Sequence, residues 1–247
     1  TGDLVYQLVI DPDKDPSEAA ALAGMIDTAA QEMRGVIGQT IEVDTAQPGL
    51  AELLVKEGAG STATRIRYAD GQRSVLRWRE TCPSLNPAPV WREGGTYLIT
   101  GGAGGIGKHV ARHIATSLAS VKLVLVGRSQ GKREHTDLLD ELSELGAHAE
   151  YHALDLADLG AVETFIKTWV TNQPLHGVLH SAGILSDGLL RSKQPDDLRR
   201  VFAPKVAGLA NLDHALAGVD LDFFALFSSI AGAMGNPGQA DYAAANA

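Results

Sequence analysis

Four residues in the last fifth of the chain carry side chains suited to moving a proton: Lys205, Ser229, Tyr242 and Asn246. Tyr242 leads the small-residue run Ala243-Ala244-Ala245, which has helical character, and Asn246 follows one helical turn later on the same face. A phenol titrates near a pKa of about 10, so it is a poor acid at neutrality unless a cation stabilises the phenolate. Lys205, in Pro204-Lys205-Val206-Ala207-Gly208 on the preceding helix, could supply that cation. Ser229 sits at the end of an apolar run. Taken singly, each has an ordinary alternative: a surface serine, a buried tyrosine, a solvated lysine.

A second constellation lies upstream. Tyr97-Leu98-Ile99-Thr100 reads as a buried strand, Gly101-Gly102-Ala103-Gly104-Gly105-Ile106-Gly107 as a glycine-rich turn, and Lys108 to Leu118 as a helix. That order opens a dinucleotide-binding unit. The first glycines permit a tight turn, the middle ones let backbone approach a pyrophosphate, and Gly107 lets helix pack on strand. The helix N-terminus offers free N–H groups and partial positive charge. An ordinary glycine-rich turn is the alternative, against which strand and helix together count. The next strand, Leu123–Val126, ends in Gly127-Arg128-Ser129. An acidic side chain near this position would hold a ribose 2′-hydroxyl, whereas Arg128 accommodates a 2′-phosphate and so points to NADPH over NADH. Asp155, followed by Leu156 at a further strand end, reads equally as an acceptor for the adenine amine or as a helix cap. At His180-Ser181-Ala182-Gly183 the backbone is expected to pass the nicotinamide side of the cofactor, and His180, inside a strand, is read as a packing or supporting residue rather than one that does acid–base chemistry.

The elements that position these residues alternate strand and helix: strand 97–100, helix 106–119, strand 122–126, helix 136–145, strand 148–153, helix 159–171, strand 177–181, helix 195–217 and strand 223–227. Such alternation implies right-handed crossovers and a doubly wound, mostly parallel sheet. Residues 1–80 form a smaller α/β piece without a glycine fingerprint: strand Leu4–Ile10, a helix from Ser17-Glu18 to Met33, strand Ile41–Val43, helix Leu50–Lys56, and a hairpin of Ile66–Tyr68 with Ser74–Trp78. Arg65, Arg67, Arg73, Arg77 and Arg79 are read as the wet face of an edge strand rather than a phosphate patch. Thr81 to Pro89, with three prolines, reads as a linker.

At 247 residues the chain can bury one large core or two smaller ones. A net charge of −9 argues against nucleic acid or an anionic membrane as the main partner. The single cysteine, Cys82, excludes an internal disulfide framework and any multi-cysteine metal site, so no metal is expected. No signal peptide or membrane-length apolar run is visible, which suits a cytoplasmic protein.

Together the motifs resemble the short-chain dehydrogenase/reductase superfamily, in particular the ketoreductase domains of modular polyketide synthases. The resemblance rests on Thr100-Gly101-x-x-x-Gly105-x-Gly107, Gly127-Arg128, His180-Ser181-Ala182-Gly183, Ser228-Ser229, and Gly238-Gln239-Ala240-Asp241-Tyr242-Ala243-Ala244-Ala245-Asn246. Simpler members of the superfamily carry lysine four residues after the tyrosine; here that place holds Asn246 and the lysine is Lys205, the exchange that polyketide synthase ketoreductases show. The spacing agrees: Ser229 is 13 residues before Tyr242 and Lys205 is 37 before it. Residues 91–247 resemble the catalytic, Rossmann-like subdomain, whose C-terminal helices, strand and lid are missing from this chain. Residues 1–90 more loosely resemble the truncated Rossmann-like structural subdomain before it.

The resemblance implies NADPH-dependent reduction of a β-ketoacyl thioester, carried on the phosphopantetheine arm of an acyl carrier protein, among neighbouring polyketide synthase domains. Ser229 and Tyr242 would bind the carbonyl oxygen and Tyr242 would protonate it. Lys205 would hold the nicotinamide ribose and lower the tyrosine pKa, and Asn246 would hold the water chain that reprotonates the site. Gly101, Gly102, Gly104, Gly105, Ile106, Gly107, Arg128, Ser129, Asp155, Leu156, Ala182 and Gly183 would line the cofactor. Leu185 and Asp187 stand where B-type ketoreductases carry Leu-Asp-Asp, with Ser186 between them, and Met234 stands where A types place tryptophan. This implies a B-type enzyme making a D-hydroxy product. Two rival readings are a stand-alone short-chain reductase of a free ketone and a catalytically inactive reductase-like scaffold within a megasynthase.

Overall fold

A computed structural model describes residues 4–14, 16–82, 90–130 and 133–247. From residue 83 onward, the proline-rich stretch expected as a linker lies outside the described residues. In chain order the elements are β1 (Leu4–Ile10), α1 (Pro16–Glu32), β2 (Val36–Glu42), α2 (Leu50–Gly60), β3 (Arg65–Ala69), β4 (Gln72–Val75), β5 (Gly95–Thr100), α3 (Gly105–Ser117), β6 (Val121–Gly127) and α4 (Arg133–Glu144). There follow β7 (Ala147–Ala153), α5 (Leu159–Asn172), β8 (Gly177–His180), α6 (Pro195–Phe202), α7 (Gly208–Leu216), β9 (Phe223–Leu226), α8 (Ile230–Met234) and α9 (Ala240–Asn246). They pack as two compact units: Thr1–Pro83, Leu185–Val201 and Ser228–Ala247 make one, and Ser84–Ile184 with Phe202–Phe227 the other.

The second unit is built on a five-stranded, wholly parallel sheet in the order β7-β6-β5-β8-β9. This is the doubly wound arrangement the alternation predicts, and all six residues of β5 are buried because helices cover both faces of the sheet. Successive residues alternate between two cores. Tyr97, Ile99, Leu123 and Leu125 pack with Ala111, Ile114, Leu138 and Leu142 of α3 and α4, whereas Leu98, Val124 and Val126 pack with Val162, Ile166, Leu212 and Leu216 of α5 and α7. The helix expected over 195–217 is interrupted. Between α6 and α7, residues Ala203–Ala207 form a π-helical turn in which the Gly208 N–H donates to the Ala203 carbonyl five residues back. Pro204 has no N–H to continue the α ladder, which accounts for the break.

The first unit holds a four-stranded sheet in the order β1-β2-β3-β4, parallel through β3 and antiparallel between β3 and β4. The hairpin turns on Asp70 (φ 52°) and Gly71 (φ 71°), both left-handed as a two-residue turn requires, and β4 ends at Val75, short of the expected Trp78. The arginines do not form one wet face of an edge strand: Arg73 is exposed on the edge strand β4, but Arg65 and Arg67 lie on the inner strand β3. β3 lies between β2 and β4, and three of the five have acidic partners: Arg65 forks onto Asp27 at 3.1 and 2.8 Å, Arg67 meets Glu42 at 2.5 Å, and Arg73 forks onto Glu57 at 2.6 and 2.9 Å. Arg77 and Arg79 lie beyond the end of β4.

Within the same unit, α1 packs directly on α9. Gly24 makes this approach possible, since a Cβ there would stand 3.0 Å from the Ala243 carbonyl carbon and oxygen. Next to it the buried Thr28 hydroxyl donates to the Gly24 carbonyl at 3.0 Å and accepts from the Asn236 N–H at 3.1 Å. Both carboxylate oxygens of Glu32, at the end of α1, accept backbone N–H groups: Leu190 at 2.6 Å and Gly238 at 2.8 Å. α1 is thus the base on which the Tyr242 helix and its loops stand. Gly24→Val is expected to lower stability by about 1–3 kcal/mol through overpacking, read by denaturant unfolding; an unchanged midpoint would contradict the close approach.

Candidate functional site

The candidate residues fall into two groups, one in each unit. In the second unit the parallel order reverses direction at β5, whose neighbours β6 and β8 lie on opposite sides, and ligands of open α/β sheets bind in the crevice at such a point. A cleft of about 300 Å³ opens there, lined among others by Gly101, Gly104, Arg128, Ser129, Asp155, Leu156, Ala182 and Gly183. Gly101 has φ 64°, and a Cβ on it would come within 2.9 Å of the Ala182 N and Cα, so the turn after β5 and the turn after β8 touch through backbone. Gly102 and Gly107 point inward instead: a Cβ on the first would strike Leu125 at 2.8 Å and on the second the Gly101 carbonyl oxygen at 2.3 Å. They set the helix against the strand. Gly104 precedes α3 with extended backbone, a Cβ on Gly105 would meet nothing within 4 Å, and Ile106 is 55% exposed. The first turn of α3 therefore offers uncovered backbone N–H groups.

Arg128 stands exposed at the end of β6, among the cleft-lining residues. A helix N-terminus and an arginine at the two strand ends fit the phosphates of a dinucleotide. Asp155 lines the cleft too, but it is not the cap of the following helix. That role belongs to Asp158, whose carboxylate accepts from Ala161 N–H at 3.1 Å, while Asp155 closes a local turn onto Ala157 N–H at 3.0 Å. The Leu156 side chain is buried in the core, and its carbonyl accepts from Asn211 Nδ2 at 2.8 Å, so any contact with a ligand falls to its backbone.

His180 is 2% exposed, with Nδ1 2.8 Å from the Thr100 hydroxyl, tying β8 to β5. Burial, reinforced by the nearby Lys205 charge, pushes its pKa down to about 4, so the imidazole is neutral at neutral pH. Lys205 lies in the π-helical turn, is 8% exposed, and donates from Nζ to the Phe227 carbonyl at 2.5 Å, just past β9. Its stem passes Gly183 so closely that a Cβ there would stand 3.1 Å from Lys205 Cε. Burial also pulls the Lys205 pKa below its ordinary value. The lysine therefore runs beside Gly183, a cleft residue, to the end of β9.

The first unit holds the other group. Ser229 caps α8, its Oγ accepting from the Ala231 N–H at 3.2 Å, which leaves the hydroxyl hydrogen to donate elsewhere. Tyr242 and Asn246 lie on α9, and Asn246 Nδ2 donates back to the Tyr242 carbonyl at 2.8 Å. Ser228 Oγ donates to the Asn246 carbonyl at 2.6 Å, and the buried Asn246 Oδ1 has no protein partner among the described residues. Asp187 Oδ1 accepts from Gln239 Nε2 at 2.9 Å, and Gly188 N–H donates to the Gly238 carbonyl at 2.9 Å. The Leu185–Asp187 segment and the Tyr242 loop are therefore held side by side. Leu185 and Met234 are exposed, at 58% and 48%. The sequence reading missed α8, the 3₁₀ turn Leu190–Ser192, Glu32 and Lys193; only Pro204, which foretells the helix break, left a local signal.

Among the described residues no group of three or more His, Cys, Asp or Glu could hold a metal ion, and no described helix is long and apolar enough to cross a membrane. The family model described as KR domain matches residues 95–247. Polyketide synthases PksL and PksN of Bacillus subtilis are 39% and 38% identical to the chain over 250 aligned residues, covering all of it but only 6% and 5% of those proteins. The crystal structure of a ketoreductase domain from the bacillaene assembly line superposes with a TM-score of 0.91 at 34% identity, covering 99% of this chain and 59% of that one. The chain thus spans a small part of the synthases it matches. Members of this family are oxidoreductases that use a nicotinamide cofactor, and from its residues, its fold and these matches the chain belongs to the ketoreductase (KR) domain family.

Proposed function

We propose that this domain reduces the β-carbonyl of an acyl thioester, presented on the phosphopantetheine arm of an acyl carrier protein, to the D-hydroxy product during polyketide biosynthesis. NADPH, when bound, supplies the hydride. The observation that carries the reading is Lys205: an ammonium is costly to bury, and this one is buried with its stem against Gly183, a residue of the cleft, and its Nζ on the Phe227 carbonyl. Such a cation holds a ribose hydroxyl and makes a phenolate less costly.

The first turn of α3 receives the pyrophosphate and Arg128 the 2′-phosphate, whose charge an arginine matches in fork geometry. Tyr242 gives its proton to the carbonyl oxygen as charge develops there, and the Ser229 hydroxyl donates a second hydrogen bond to the same oxygen. Asn246, whose side-chain Oδ1 has no protein partner among the described residues, holds a water that returns the proton to the tyrosine. Asp187, fixed by Gln239, favours the B-type orientation of the substrate.

Tyr242→Phe is expected to lower the rate of reduction by about 10²–10⁴-fold while NADPH affinity stays near that of the unaltered protein; parallel loss of both in steady-state and binding assays would contradict the acid role. Arg128→Ala is expected to weaken NADPH binding by roughly 10- to 100-fold and leave NADH binding unchanged, measured by titration of each cofactor. Equal use of the two cofactors by the unaltered protein would sink the NADPH assignment.

A further inference from the structure

One buried ion pair in the first unit has no part in the chemistry above. Lys193 Nζ stands 2.7 Å from Asp241 Oδ2, with the two side chains only 3% and 1% exposed. The same ammonium donates to the Ser186 carbonyl, in the middle of Leu185-Ser186-Asp187. The other oxygen of Asp241, Oδ1, accepts the backbone N–H of Tyr242 at 2.9 Å. A single chain of charge-assisted hydrogen bonds therefore runs from the Ser186 carbonyl through Lys193 and Asp241 to the backbone of Tyr242.

Burying two charges is expensive, and a well-packed apolar pair of the same volume usually does as well or better for stability. Neither is the pair needed merely to close the loop. Gln239 to Asp187, Gly188 to Gly238, and Glu32 to Leu190 and Gly238 already tie the two segments together one to three residues away. What the ion pair adds is directional. It fixes the peptide next to Asp187 relative to the peptide that carries Tyr242.

We propose that Lys193, held by Asp241, is a positioning residue for the reduction: it sets the Ser186–Asp187 segment in register with Tyr242 and thereby determines which face of the ketone is reduced. The proposal rests on the reductase reading. A loosened register permits the substrate to settle in both orientations, and a misplaced carbonyl is protonated slowly even when the cofactor is bound normally.

The test is made in the full polypeptide that carries this sequence, with a β-ketoacyl thioester and chiral analysis of the alcohol. In Lys193→Met/Asp241→Leu the charges are replaced by apolar groups of similar size. The variant is expected to bind NADPH as the unaltered protein does, to lose about 10- to 100-fold in kcat with little change in KM, and to yield both hydroxyl epimers. A single epimer at undiminished kcat would overturn the proposal. Lys193→Arg and Lys193→Gln guard against misfolding: the arginine is expected to keep the product configuration and the glutamine to lose it, and equal purity from both overturns the assignment. No NADPH consumption by the unaltered protein would overturn the reductase reading and this proposal with it, whereas unchanged epimer purity in the variants overturns only the proposal.

Discussion

At the carboxyl ends of β5 and β8 two backbone turns touch, and the cleft of the second unit depends on that contact. Gly101 can lie against Ala182 only because it lacks a Cβ and takes a left-handed φ. With the turns so close, α3 begins at the crevice, and the cleft continues past the ends of β6 and β7, where Arg128 and Asp155 line it. Thr100 secures the same place from behind. Its hydroxyl meets His180 Nδ1 at 2.8 Å and accepts the Ala182 N–H at 3.3 Å, so a neutral imidazole serves as a structural peg rather than a proton carrier.

Lys205 owes its position to a helix irregularity. In a continuous α-helix Pro204 would remove a hydrogen bond and clash with the turn before it. The chain answers with a π-helical turn, and in that turn Lys205 reaches the Phe227 carbonyl alongside a glycine small enough to let its stem pass. The buried ammonium is a cost to the fold that its proposed role explains. In the other unit, α1 does comparable work for Tyr242: Gly24 admits α9, and Thr28 and Glu32 bind the loop that leads into it.

The parallel sheet was readable in the sequence because its strands are buried on both faces, which writes them as short apolar runs between helical periods. The glycine-rich turn and Arg128 were readable because both stand at strand ends fixed by that alternation. Features made by pairs distant in sequence were not. Arg65, Arg67 and Arg73 look like one basic stripe until the neighbours Asp27, Glu42 and Glu57 are known. Lys193 and Asp241 are 48 residues apart, and neither lies in a pattern that announces the other. Asp155 and Asp158 both precede α5, and composition alone does not say which one caps it.

The account turns on whether this domain delivers hydride and proton to a carrier-bound ketone with one handedness. The most direct measurement is NADPH oxidation by the full polypeptide, offered a β-ketoacyl thioester on an acyl carrier protein, with the configuration of the alcohol determined. The account predicts turnover to the D-hydroxy thioester. Turnover to the L epimer would contradict the role given to Asp187. Failure to bind or oxidise NADPH would contradict the reductase itself and favour a scaffold.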